Sequence, residues 1–359
     1  MYGGKLIGTG SSSCTLRPTI PCKGKGKEDV KKDRVSKILY NNDAKEIMEY
    51  EMEQTKLLSR IRGHKNWSII YDEYCKAPSY HVIKEYDKKG ILDCYGKNDG
   101  NFNGYILNSQ YGGDTMDSIF KGLFSNTKTS IDNNFLIFMD MMKPLFRGLK
   151  EMNKNGVIHN DIKYSNIVEH NNVFKYIDFG LTSHISKKDN FRKRGLDEFN
   201  TKRFYYHYPL DYIYFYATSN ELDNEEYTFS NRKNYTILLD IYQILDRNFF
   251  NYISWIMDDI NYGSLTEEDM ISKIDVYSLG IQVPLLFYFY SNIKKPYIKS
   301  SLINEFYDLF KDMTHPNPLK RITPSQSYNI YMKLMKKYKY TNKKSKKKKK
   351  SKRKRNKRG

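Results

Sequence analysis

Between residues 159 and 180 the chain reads HNDIKYSNIVEHNNVFKYIDFG. Asp161 is followed by Lys163 and Asn166, and eleven residues after Asn166 comes Ile177, then Asp178-Phe179-Gly180. Carboxylate and amide oxygens suit a divalent metal ion, and a lysine beside them can neutralise an anionic group. Phosphoryl transfer needs this combination, because it depends on charge neutralisation and alignment more than on covalent chemistry.

Other groups in the chain suit the same chemistry, each with a plainer alternative. Lys37 lies inside the β-type run Val35-Ser36-Lys37-Ile38-Leu39, where its charge can face a nucleotide phosphate or simply solvent. A helical pattern starting at Asp43 offers it a carboxylate partner. Glu51 shares a face with Ile47 and Leu58 and is the first choice, Glu53 the second, although Glu46, Glu49, Glu51 and Glu53 together also fit a solvated acidic face. Near the N-terminus, Gly8-Thr9-Gly10-Ser11-Ser12-Ser13 lets backbone N–H groups approach a phosphate without an intervening side chain, with Ser13 where a third glycine would stand. An ordinary Gly/Ser turn fits that string as well.

With these residues in place, the double motif resembles the protein kinase superfamily, whose catalytic loop reads H-R-D-x-K-x-x-N and whose metal motif is D-F-G. The resemblance implies an α+β, bilobal fold with a small β-rich N-lobe and a large helical C-lobe. It assigns Asp161 to accept or orient the substrate hydroxyl proton and Lys163 to neutralise the transferring phosphate. Asn166 and Asp178 would hold Mg²⁺, Lys37 with Glu51 would reach the ATP phosphates, and Gly8, Gly10 and Ser13 would cover them. The segment Asn108-Ser109-Gln110-Tyr111-Gly112-Gly113-Asp114 resembles the hinge, with backbone groups of Gln110 and Tyr111 facing adenine. Lysine at position 163 matches serine/threonine kinases, so protein serine and threonine are the implied acceptors. Asp275-Val276-Tyr277-Ser278-Leu279-Gly280 resembles the start of the buried C-lobe helix whose aspartate braces the catalytic loop, and Arg321 resembles the arginine that pairs with the acid ending the activation segment. In composition the chain looks most like the divergent serine/threonine kinases of large DNA viruses, which implies an intracellular protein of the host nucleus or the virion. A pseudokinase scaffold, a small-molecule kinase of related fold and a nucleic-acid-binding protein acting through its tail are the competing classes.

Two departures from the family pattern carry information. Asn160 stands where the family has an arginine that binds an activation-loop phosphate, so constitutive activity is expected, without phosphorylation at Thr182, Ser183, Ser186 or Thr201. The A-P-E end of the activation segment is replaced by Tyr208-Pro209-Leu210-Asp211, which makes Asp211 the expected partner of Arg321. Between Asp211 and Asp275 lie 63 residues, read as an insertion within about 212–272.

The elements that must position these groups are legible in outline. The first hundred residues mix short β-type runs, Ser68–Tyr71 and Gly104–Asn108 among them, with one helical pattern from Asp43 to Arg62. One helix is predicted over Asp132–Asn155, ended by Asn155-Gly156, and a strand over Val173–Ile177. The apolar run Val276–Tyr290 is broken by Ser278, Gly280, Gln282 and Pro284 and reads as a buried helix rather than a transmembrane segment. Expected boundaries are a kinase domain over 1–335, divided at 111/112, and a disordered basic tail over 336–359. Of the formal charge of +20, thirteen Lys or Arg lie between 343 and 358, which leaves about +7 for the rest. That run suits nonspecific nucleic acid, an acidic protein or an anionic membrane, and resembles a nuclear import signal. Cys14, Cys22, Cys75 and Cys94 are irregularly spaced and are expected to be reduced thiols.

Overall fold

The computed structural model describes residues 4–10, 13–40, 42–95, 103–125, 130–201, 205–216, 233–245, 265–290 and 300–355, with 92–95, 214, 233–235, 244 and 340–355 as backbone only. The chain divides into two compact units, Met1–Gly113 with Lys175–Leu181, and Asp114–Phe174 with Thr182–Gly359. The first is built on a sheet and the second on helices, as a bilobal kinase fold requires.

In the first unit five strands, β1 (Lys5–Thr9), β2 (Ser13–Arg17), β3 (Arg34–Leu39), β4 (Glu73–Lys76) and β5 (Tyr105–Gln110), form an antiparallel sheet in the order β1-β2-β3-β5-β4. The central β3 takes partners on both edges, which suits its Val, Ile and Leu content. Helix α1 (Ala44–Ser59) buries Ala44, Met48, Glu51, Thr55 and Leu58, whose spacing of four and three residues marks one face of a helix. Ala44 and Met48 on that face pack with Leu39 and Leu107 of the sheet. A second cluster, including Leu16, Ile38 and Ile106, takes in Tyr80 and Ile83 of α2 (Tyr80–Lys84) and Ile91 of α3 (Lys88–Tyr95). The expected Ser68–Tyr71 strand is instead loop with a single bridge from Ser68 to Tyr176, and the edge strand lies just beyond it at Glu73–Lys76.

Cysteine chemistry departs from expectation. Cys22 and Cys75 are joined in a disulfide with Cα atoms 5.8 Å apart, and no free cysteine is found among the described residues. Irregular spacing gave no hint of this, because only the sheet brings the loop after β2 next to β4. The bond closes a loop of 53 residues. Cys22→Ser is therefore expected to lower the unfolding free energy by about 2–4 kcal/mol. In denaturant titrations the difference between wild type and variant should vanish when both are measured with reductant.

In the second unit the chain runs through α4 (Met116–Phe124), α5 (Ile131–Met141) and α6 (Lys143–Lys154). The single helix expected over 132–155 is thus two, because Pro144 has no N–H to continue the ladder. Strands β6 (Val157–Ile158) and β9 (Ser183–His184) pair, and β7 (Ile167–His170) and β8 (Val173–Tyr176) lie between them in sequence. Helices α7 (Lys188–Thr201), α8 (Leu210–Tyr214), α9 (Lys233–Ile244), α10 (Glu267–Ile271), α11 (Ile274–Tyr290), α12 (Ser301–Met313) and α13 (Pro324–Arg355) complete the described chain. The core is α11, buried from Ile274 to Phe287 in spite of Pro284. The stretch Glu267–Tyr290 is long and apolar enough to cross a membrane by length and composition, but 89% of its most apolar window is buried inside the protein. Phe287 stacks edge-on against Phe120 and Phe124, and Phe120 against Phe138.

Residues 217–232 and 246–264, most of the expected insertion, lie outside the described residues. Helix α13 runs past the expected boundary at 335, and Lys337 and Lys339 pair with Glu305 and Asp140. The side chains of the basic run 343–358 also lie outside the described residues.

Candidate active site

Within the first unit, Lys37 Nζ lies 2.8 Å from Glu51 Oε1 and 3.2 Å from Asp178 Oδ1. Lys37 sits mid-strand in β3, opposite Leu107 of β5, and Glu51 projects from the buried face of α1. The structure thus selects Glu51 over Glu53, because only Glu51 lies on the face turned to the sheet. Burial works against the charge on Lys37, but Tyr71, Asp178 and Glu51 outweigh it and hold the ammonium well above its usual value. Burial also raises the Glu51 carboxyl against the pull of Lys37. Asp178 takes a left-handed backbone, φ 58°, which costs an aspartate conformational energy and re-aims its side chain. One carboxylate oxygen receives Lys37, and the side chain keeps 41% of its exposure.

The glycine string forms the β1–β2 turn, closed by Gly10 N–H donating to Ser13 O at 2.8 Å. Gly8 lies opposite Thr15 next to an irregularity in the register. Ser11 and Ser12 lie outside the described residues. At the hinge the structure separates the two expected residues. Tyr111 N–H donates to Asp33 O at 2.9 Å, so it is not available to a ligand, and the Tyr111 ring lies under the Arg17 guanidinium. That bond makes the facing residues Arg34 and Gln110 a non-hydrogen-bonded pair, and the backbone N–H and C=O of Gln110 turn away from β3. Residue 110 lies beyond the last β4 partner, Asn108, so neither group has a strand partner there, and the carbonyl accepts a long contact from Ser109 Oγ at 3.4 Å.

Within the second unit, the loop after β6 is held by one stripe of polar residues on the apolar α11. Asp275 accepts the backbone N–H groups of His159 (2.6 Å) and Asn160 (2.9 Å). Gln282, two turns on, accepts Tyr164 N–H at 2.8 Å and donates to Ile162 O at 3.3 Å. Between them Ser278 donates to His207 O at 2.6 Å. The family pattern points to Asp275 but gives no indication of Gln282. The available signal was an amide inside a run of Val, Ile and Leu, since a buried amide must be hydrogen-bonded.

This bracing presents Asp161 with a carboxylate contacted by three side chains. Lys163 Nζ lies 2.9 Å from Oδ2 and 3.1 Å from Oδ1, Asn166 Nδ2 lies 2.8 Å from Oδ2, and His207 Nε2 lies 3.1 Å from Oδ1. Burial alone would raise the Asp161 carboxyl, but His207 and Lys163 outweigh it and hold it below the usual carboxylate range. With its folded value below the unfolded one, ionised Asp161 adds stability above pH about 4 that is lost only in stronger acid. Asn166 spends its amide N–H groups on Asp161 O and Oδ2, which leaves its Oδ1 as a ligand oxygen.

The activation segment carries its own helix, α7. Asn160, at φ 60°, donates from its side chain to Tyr212 OH, and its carbonyl accepts Tyr208 OH at 2.7 Å. Arg194 of α7 reaches Tyr208 OH at 3.3 Å and pairs with the buried Glu198 at 2.7 Å. At the segment's end Asp211 Oδ1 meets Arg321 at 2.6 Å, both side chains fully buried. Of the four hydroxyls named as phosphorylation sites, those of Thr182 and Ser183 are buried, while Ser186 and Thr201 are exposed.

No curated protein matches the chain. The protein kinase domain model matches residues 3–206, more than half of its length, from β1 to the residue before His207. With the β-rich unit carrying Lys37, Glu51 and Asp178 and the helical unit carrying Asp161, Lys163 and Asn166, the chain belongs to the protein kinase family.

Proposed function

We propose that the chain transfers the γ-phosphoryl group of ATP to serine or threonine hydroxyls of protein substrates with Mg²⁺. The observation that carries this reading is the Asp161 carboxylate, held ionised by Lys163, Asn166 and His207 in a loop whose backbone is pinned by Asp275 and Gln282. In its role Asp161 orients the acceptor hydroxyl and receives its proton, and Lys163 turns from Asp161 to the transferring phosphate.

The donor set fits a hard cation. Asp178 offers a half-exposed carboxylate whose second oxygen Lys37 does not bond, and Asn166 offers an amide oxygen. Those two residues would hold Mg²⁺, which when bound neutralises charge on the phosphates. Lys37, kept protonated, meets the nucleotide phosphates, the Gly8–Ser13 turn covers them, and the Gln110 backbone groups meet the adenine edge. The cationic run 343–358 would draw an anionic partner such as nucleic acid by a salt-sensitive, sequence-independent attraction.

Phosphoamino-acid analysis of casein labelled by the wild-type chain tests the acceptor class. Label on serine and threonine is expected, and label on tyrosine alone would refute it.

The Glu198–Arg194–Tyr208–Asn160 chain supports activity without loop phosphorylation, because Arg194 already has a carboxylate partner and reaches the catalytic loop through Tyr208. Phosphatase-treated protein is expected to keep its kcat within about twofold, whereas Arg194→Met should lower kcat about tenfold or more through loss of a half-buried, charge-assisted contact. Activity that disappears on dephosphorylation and returns on modification of Ser186 or Thr201 would contradict this.

A further inference from the structure

His207 belongs to no motif in the chain, lies just past the matched family region, and yet touches the carboxylate on which the proposed chemistry turns. It is buried, its carbonyl is fixed by Ser278 Oγ at 2.6 Å, and its ring sits between those of Tyr208 (4.4 Å) and Tyr205 (5.5 Å). Its freedom to do anything but face Asp161 is small.

A carboxylate has about four lone-pair directions. Four contacts occupy them here. Oδ1 receives Lys163 and His207, both at 3.1 Å, and Oδ2 receives Lys163 at 2.9 Å and Asn166 at 2.8 Å. In that arrangement no direction is left for an acceptor hydroxyl. When Lys163 moves to a phosphoryl group, one direction opens on each oxygen. His207 on Oδ1 and Asn166 on Oδ2 then remain, one donor per oxygen, and they fix the plane of the carboxylate. With Asn166 alone the group would be held at a single oxygen and could turn about its Cβ–Cγ bond.

Resting on the reading of Asp161 given above, we infer that His207 is a positioning residue of the kinase reaction, donating Nε2–H to Asp161 Oδ1 and holding the carboxylate while Lys163 serves the phosphate. Asp161 is ionised and can only accept, so the proton of the imidazole must be on Nε2. Burial lowers the imidazole's affinity for a second proton in spite of Asp161, so the donor is neutral and Asp161 keeps its charge for the acceptor proton.

The test uses the full chain and five variants: three at His207, Asp161→Asn, and Asp161→Asn combined with His207→Leu. His207→Leu removes the donor, His207→Asn keeps an amide too short to reach, and His207→Gln places an amide N–H near the position of Nε2. Loss of the donor should lower kcat about tenfold to a hundredfold, as loss of a group that orients a reacting one does, while KM for ATP stays within about twofold. His207→Gln should recover kcat to within about threefold of wild type. In an Asp161→Asn background His207→Leu should cost nothing more, because the residues act as a unit. If His207→Leu lowers Tm, the Asn and Gln variants decide, since both keep a polar group of similar character. The inference is overturned if His207→Leu keeps full kcat, if Gln is as impaired as Asn, or if the loss is the same in the Asp161→Asn background. Full activity of Asp161→Asn itself would instead overturn the reading of Asp161 on which the inference rests.

Discussion

Asp161→Asn is expected to lower kcat by about 10²–10⁴-fold, the range for loss of a positioned general base, with little change in KM for ATP and some loss of Tm at neutral pH, where the ionised carboxylate stabilises the fold. The substitution keeps size and shape but replaces a charge that receives Lys163, Asn166 and His207 with an amide. One end of that amide is an N–H₂, which cannot accept from the two donors aimed at it, so orientation is lost together with basicity. The loop itself should persist, because its backbone is held by Asp275 and Gln282 rather than by Asp161. Nucleotide affinity should persist because Lys37, Glu51 and the Gln110 backbone groups are untouched. A variant that loses ATP affinity in parallel with kcat would show that Asp161 has a structural role instead.

Arg321→Leu is expected to cost about 3–5 kcal/mol of stability, the largest single-residue loss we foresee, because it leaves the fully buried Asp211 carboxylate without its ion-pair partner. Arg321 also donates to the carbonyls of His315, Pro316 and Lys273, so it ties two further segments to the end of the activation segment. Asp211 lies in the first turn of α8, four residues after His207 and three after Tyr208, so the loss should reach the active site as well. Replacing both partners removes the buried charge. Asp211→Leu combined with Arg321→Leu should therefore be more stable than Arg321→Leu alone, and denaturant titrations of the four proteins measure the difference.

How much of this was legible beforehand depends on whether a residue's role is local in sequence. The catalytic loop and the D-F-G string are local, so Asp161, Lys163, Asn166 and Asp178 are visible as a pattern. Glu51 over Glu53 was legible too, because a helical face is a matter of spacing, and Asp211 with Arg321 because a family string predicts a charge pair. What stayed hidden depends on long-range packing. Cys22 meets Cys75 only once β2 and β4 lie in one sheet. Gln282 looked like a flaw in an apolar helix until the loop it pins was folded against it. His207 sits in a run of tyrosines with no motif, and 46 residues of chain separate it from Asp161. The hinge shows a finer failure. A string can resemble a hinge but cannot show which of its N–H groups is already used, and that of Tyr111 is taken by Asp33 O.

The most direct test of the account is transfer of label from γ-labelled ATP with Mg²⁺ to casein, with wild type, Asp161→Asn and Asp178→Asn compared at equal, folded concentrations. The account predicts strong transfer by the wild type and at least about a hundredfold less by each variant. Equal label from all three would contradict it.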